Sequence, residues 1–176
     1  MTKRNFWTLL LLALIFATPG ITAYVYFQHP AWLLQATTNK GELLNPPVQF
    51  AGFENSKKWH FVLWYPKNCD KACLNLADKL ARVRLALGRR LYEVEQWVVV
   101  DGDSQSHLSE LSTNLSQQDI HVFPFKNNAY PVFGSIPNVF IASPNGYLVL
   151  RYAADANPRD IFHDMKQLLN TNEKSG

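Results

Sequence analysis

Trp59-His60-Phe61-Val62-Leu63-Trp64-Tyr65-Pro66-Lys67-Asn68-Cys69-Asp70-Lys71-Ala72-Cys73 is the stretch on which the reading of this chain turns. Its first seven residues are aromatic, aliphatic or β-branched without a break, the pattern of a buried strand, and Pro66 ends it. A helix follows at once. Cys73, Leu76, Leu80, Val83 and Leu87 recur at steps of three and four, Asp70, Asn75, Lys79 and Arg82 fall on other faces, and Gly88 supplies a stop. A strand therefore meets a helix N-terminus at a pair of cysteines.

Outward from that junction, the pattern alternates between strand and helix. Val94 to Val100 is a second apolar run closing on Asp101-Gly102-Asp103, with a short helix expected around His107 to Leu115. His121 to Val132 is aromatic but interrupted by Pro124 and Pro131, and reads as an irregular insertion or an edge strand. Asn138 to Ala142, the turn Pro144-Asn145-Gly146, and Tyr147 to Tyr152 form a hairpin, since Asn-Gly readily adopts the positive φ of tight turns. The last helix has Asn157 as cap, Pro158 at its first position and Asp160 in its first turn, with Ile161, Met165, Leu168 and Leu169 facing inward. Strands separated by helices predict an α/β sheet with right-handed crossovers.

The N-terminal side is of another kind. Phe6 to Phe27 holds no charged side chain, and its length approaches the roughly 20 residues a helix needs to cross a bilayer. Lys3 and Arg4 precede it and no Lys or Arg follows until Lys40, which places the N-terminus in the cytoplasm and exports the rest. Tyr24, Tyr26 and Trp32 suit the outer interface. The competing reading is a cleaved signal peptide, with Thr8 to Ala17 as its apolar region and Ile21-Thr22-Ala23 at the cleavage site. Pro19-Gly20 would kink a spanning helix without ending it. The expected organisation is a cytoplasmic tip and anchor over 1–28, a linker over 29–53 where Asn45-Pro46-Pro47 forbids regular helix, one globular domain over 54–170, and a polar, flexible tail over 171–176. Beyond the basic tip, 15 Lys and Arg face 14 Asp and Glu. That balance gives no electrostatic case for nucleic acid.

Cys69 and Cys73 are the only two cysteines among 176 residues. One four-residue helical step separates their α-carbons by about 6 Å, which a disulfide spans. With the helix starting near Asp70, Cys73 lies on the core stripe and Cys69 at or just before the cap, an arrangement that suits an attacking and a resolving thiol. Free amides at the helix N-terminus, with Lys67 and Lys71 nearby, favour the thiolate, while Asp70 opposes it. The same sulfurs are soft donors suited to Cu(I), so both are candidate metal ligands as well as candidate catalytic residues. A structural disulfide is the third reading, weakened by the small loop entropy such a short bridge removes.

Trp64 to Cys73, the loop Val100-Asp101-Gly102-Asp103, and Pro144-Asn145-Gly146 followed by a strand together resemble the SCO/SenC family of cytochrome c oxidase assembly proteins. The resemblance implies a membrane-tethered thioredoxin-like fold, a three-layer sandwich around a mixed β-sheet, held at a bacterial inner membrane with its domain in the periplasm. It implies that Cys69 and Cys73 bind copper destined for the Cu(A) centre of oxidase subunit II, or act there as a dithiol, with subunit II or a copper chaperone as partner. The family's third copper ligand is a His before the strand leading to the Pro-x-Gly turn, and Gly134-Ser135-Ile136 stands at that place here. Ser135-Ile136-Pro137-Asn138 instead resembles the Ile-Pro segment of thioredoxins. That likeness implies a cis bond at Ile136-Pro137 and a substrate-binding role for both residues.

The other chemistry-bearing residues are more ordinary. His29, His60, His107, His121 and His163 have no metal-type spacing to the cysteines, His60 being the nearest in sequence. Asp101 and Asp103 end the second strand, where a carboxylate would take a proton from the buried thiol or cap the next helix. Arg82, Arg84, Arg89 and Arg90 give the first domain helix a basic outer side, suited to anionic lipid or an acidic partner. Trp59, Trp64 and Trp97 are expected in the core. No phosphate-cradling loop, nucleophile elbow or zinc-type cluster is present in the sequence.

Overall fold

A computed structural model describes residues 3–28, 38–53, 56–66, 69–101, 112–125 and 131–173. The chain divides into two units, Met1–Thr38 and Asn39–Gly176. The first is built on helix α1, Lys3–Gln28, with Pro19 in its interior. Its segment Phe6–Gln28 is 23 residues long and apolar enough to cross a membrane. At a rise of about 1.5 Å per residue it spans about 35 Å. Thr18 donates its hydroxyl to the Leu14 carbonyl and Thr22 to that of Thr18, which satisfies polar side chains inside an apolar helix.

The second unit is one sheet with helices on one face. In chain order its elements are β1 (Glu42–Gln49), β2 (Trp59–Tyr65), α2 (Lys71–Ala86), β3 (Val94–Asp101), β4 (Ile120–Phe125), β5 (Asn138–Ala142), β6 (Tyr147–Ala153) and α3 (Pro158–Glu173). Residues 112–116 add a short helical turn. The strand order is β1-β6-β5-β2-β3-β4. β2, β3 and β4 run parallel, and β5, β6 and β1 join antiparallel, so the sheet is mixed.

The period-two geometry of β2 divides the core. Phe61, Leu63 and Tyr65 face the helical layer with Cys73, Ala77, Leu80 and Met165. Val62 and Trp64 face the opposite way, into an aromatic layer with Phe50, Phe53, Phe133 and Phe140. Phe53 ends a 3-10 turn after β1, Phe50 stands just before that turn, and Phe133 comes from another at Pro131–Phe133. Buried aromatic rings from irregular segments thus close the second face.

The structure corrects the expected linker over 29–53. Glu42–Gln49 is an edge strand paired antiparallel with β6. Pro46 and Pro47, which forbid helix, are tolerated there because an edge strand leaves one row of amides unpaired, and the register shifts between Leu43 and Val48 around them. Its start is fastened by buried Asp164 of α3, whose Oδ2 accepts from the Lys40 and Gly41 amides at 2.7 and 2.8 Å and from the Tyr152 hydroxyl at 2.7 Å. Burial pushes the Asp164 carboxyl up, but the His163 ring, those amides and Tyr152 together hold it below the usual carboxylate range. A Cβ on Gly41 would run into the Tyr152 ring, so the clasp also depends on a glycine.

Two smaller expectations change as well, the tail boundary and the place of Arg84. The tail begins later, because α3 continues to Glu173. Of the two readings of 121–132, the edge strand holds over Ile120–Phe125, which is β4, parallel to β3, with Pro124 opposite Val100. Arg84 belongs to the interior and not to a basic outer face. It donates from Nε to the Val94 carbonyl at 2.7 Å and from Nη2 to Asp119 at 2.6 Å, tying α2 to the starts of β3 and β4. The hairpin turn keeps Gly146 at φ 81°, while its Asn145 stays at negative φ. The Gly146 amide donates to the Ser143 carbonyl at 2.9 Å to close the turn, and the β5–β6 register shifts between Ile141 and Ala142 just before it.

Candidate functional site

Helix α2 starts at the cysteine pair because Asp70 caps it. The Asp70 backbone is extended, and its Oδ1 accepts from the Ala72 and Cys73 amides, both at 3.0 Å. The same oxygen receives the Tyr65 hydroxyl at 2.9 Å, joining the last residue of β2 to the cap. These bonds, the Cys73 amide foremost, hold the Asp70 carboxyl below its ordinary range, and the carboxylate in turn raises the Tyr65 phenol. The Tyr65 contribution is invisible in the sequence, where only a strand end five residues before an N-cap hints at it.

Cys69 and Cys73 are joined as a disulfide with α-carbons 5.1 Å apart. Cys73 is fully buried in the core beneath α2, whereas Cys69 is only partly covered. The expected division between an approachable and a sheltered sulfur is therefore present. Asp70 takes two of the amides at the helix start, so they face a carboxylate before they face sulfur.

The second predicted element of the site, Ile136-Pro137, lies at the same end of the sheet. Trp64 pairs in register with Asn138, and Trp64 Nε1 donates to the Gly134 carbonyl at 3.1 Å. These contacts fix the 134–137 loop to the end of β2, just before the chain turns to Cys69. Ile136 is 65% exposed, a large apolar side chain held open to solvent. The expected cis bond at Ile136-Pro137 is not found: among the described residues only Asn45-Pro46 is cis. Residue 137 precedes the first paired residue of β5, where no amide is needed, and the Asn138 side chain donates to the Ile136 carbonyl at 3.1 Å to close the bend with a trans proline.

The histidines do not join the sulfurs. His60 is fully buried on the aromatic side of β2, stacked on Phe53 at 4.3 Å, and so points away from the face that carries Cys73. Burial lowers its pKa to about 4, against a smaller upward pull from Glu95. His121 packs on Trp97, and His163 pairs with Asp164 on α3. His29, His107, Asp103 and Lys67 lie outside the described residues, as does the side chain of Asp101. Among the described residues no group of three His, Cys, Asp or Glu side chains is placed to hold a metal.

Residues 59–172 match the model of a family described as transmembrane-like, thioredoxin-like, C-terminal domain. The chain belongs to this family. The match begins with β2 and ends within α3, so it takes in the cysteine pair, the 134–137 loop and the whole core sheet except β1. Solved structures of similar fold include copper-bound ScoI of Arabidopsis thaliana, 10% identical over 66% of this chain and 87% of that one, with a TM-score of 0.51. A thiol:disulfide interchange protein from Bacteroides sp. is 13% identical over 74% of this chain and 90% of that one, at 0.49. Copper-bound ScoI of Bradyrhizobium japonicum is 13% identical over 64% and 86%, at 0.48. A comparison with curated proteins finds no match. The transmembrane-like, thioredoxin-like assignment agrees with the mixed sheet and with the apolar helix α1.

Proposed function

We propose that this chain is a membrane-anchored thiol-disulfide exchange protein whose reactive pair is Cys69 and Cys73. The observation that carries this reading is the unequal access of the two sulfurs, partly covered Cys69 against fully buried Cys73. In the reduced state, the Cys69 thiolate attacks a client disulfide. One client sulfur leaves as a thiolate and takes up a proton, and a mixed disulfide remains. Cys73, losing its proton, then attacks Cys69 Sγ and expels the second client sulfur. The client gains two electrons and the 69–73 pair loses them. The same steps reversed oxidise a dithiol client, beginning with client attack on Cys69.

For the client, the Trp64 to Cys73 motif and its SCO/SenC resemblance support the Cu(A)-site cysteines of oxidase subunit II, or a copper chaperone serving them. Lys3 and Arg4, ahead of the apolar segment of α1, support an inner-membrane protein with its domain outside the cytoplasm.

The test is trapping with the full chain. Cys73→Ser is expected to accumulate a mixed disulfide with a client, and Cys69→Ser to accumulate none. Absence of any adduct from both variants would overturn exchange. In the same preparations, tight Cu(I) binding by the wild type that disappears in Cys69→Ser would make the chain a metal carrier, with copper as cargo. A pair that stays oxidised at potentials far below about −300 mV would make it a structural bridge.

A further inference from the structure

Away from the cysteines, a groove of about 350 Å³ opens between α2 and α3. Val83, Ala86 and Phe162 form its apolar floor, and Lys79, Arg82 and Arg159 stand around it. Among the described residues no carboxylate lines it. Arg82 is engaged by Asp78 at 2.8 Å, one turn earlier on the same helix. Lys79 and Arg159 have no ion-pair partner among the described residues. Lys166 adds a further cation, its Nζ 5.9 Å from the centre of the Phe162 ring. An apolar floor wants a hydrocarbon or aromatic body, and an all-cationic rim wants an anion.

We propose that this groove holds an anionic membrane lipid, with part of an acyl chain on Val83, Ala86 and Phe162 and the headgroup phosphate met by Lys79 and Arg159. The volume lies in the range of ordinary ligand sites. A membrane source follows from the chain itself, since α1 has the length and composition of a spanning helix. A chain anchored by such a helix works at a lipid surface, whereas a soluble amphiphile would have to be supplied. The inference is independent of the chemistry at Cys69 and Cys73.

The test uses the full chain in phosphatidylcholine nanodiscs carrying a phosphatidylglycerol probe with a diazirine in its acyl chain. A second arm carries the diazirine chain on phosphatidylcholine, and a third uses the free diazirine fatty acid. The phosphatidylglycerol probe is expected to label peptides covering 79–86 and 158–162 above the phosphatidylcholine probe, and Lys79→Gln with Arg159→Gln to reduce labelling about fivefold for each cation removed. Ala86→Trp, which fills the groove, should abolish it. Exchange of the 69–73 disulfide with glutathione should match the wild type in all variants, showing that the fold is kept. Equal labelling by both lipid probes, undiminished labelling of the double variant, or labelling by the free fatty acid alone would overturn the proposal.

Discussion

Asp70 acts on the cysteine pair in two opposing ways. As a cap it starts the helix that carries Cys73, and as a carboxylate it occupies amides that would otherwise stabilise a thiolate. Asp70→Asn keeps an acceptor at the cap and removes the charge, so the reduced pair should become easier to hold as thiolate. A titration against glutathione is expected to give a less negative potential, about 30 mV for each tenfold change in the exchange constant. An unchanged or more negative potential would show that the carboxylate has no electrostatic hold on the pair. His60 is the other residue with a pH consequence. Its folded pKa of about 4 lies below the ordinary 6.5, so the folded state binds fewer protons than the unfolded one between those values. Its contribution to stability is whole above pH 6.5 and is lost as the pH falls towards 4, by about 3 kcal/mol in all. Urea unfolding followed from pH 7 to 4 should show that loss in the wild type and a shallower one in His60→Phe, which can keep the stack on Phe53.

At the scale of elements, Arg84 shows how far a side chain's role departs from its residue type. It lies on α2 among exposed Arg82 and Arg89, yet its guanidinium reaches past the core to the Val94 carbonyl and to Asp119. Asp119 sits at φ 58°, a left-handed position for a residue with a side chain, and Arg84 bonds both its carbonyl and its carboxylate. Arg84→Ala is expected to cost about 2 kcal/mol, because it strands the buried Val94 carbonyl, while Arg82→Ala on the surface should cost under about 0.5 kcal/mol. Equal costs in chemical denaturation would place Arg84 with its exposed neighbours. The periodicity of α2 foretold Cys73, Leu80 and Val83 as buried, and they are. It could not separate Arg84 from Arg82, since burial of an arginine depends on acceptors that arrive from residues 94 and 119. The same holds for β1, where two prolines concealed a strand whose partner, β6, lies about a hundred residues away.

For the whole molecule, the decisive asymmetry is a charge-free segment, Phe6–Gln28, near the N-terminus and a nearly neutral domain after it. If α1 spans with Lys3 and Arg4 inside, alkaline phosphatase fused after Gly176 should be active in a bacterial host and a cytoplasm-only fluorescent reporter there dark. The opposite pair of results would reverse the orientation. The sequence by itself determined the long apolar helix, the α/β alternation, the hairpin, the cap of α3 and the strand-to-helix junction at Cys69 and Cys73, because each is written in residues close together along the chain. Tertiary structure alone decided what lies far apart: the place of β1 at the sheet edge, the trans Pro137, the Tyr65 bond to the cap, and the separation of His60 from the sulfurs. One residue of register sends a strand side chain to the opposite face of the sheet, so His60, near the cysteines in sequence, stands on the other side of the core from Cys73. The cysteine junction was local and therefore legible, while the company it keeps was set by pairings between distant strands.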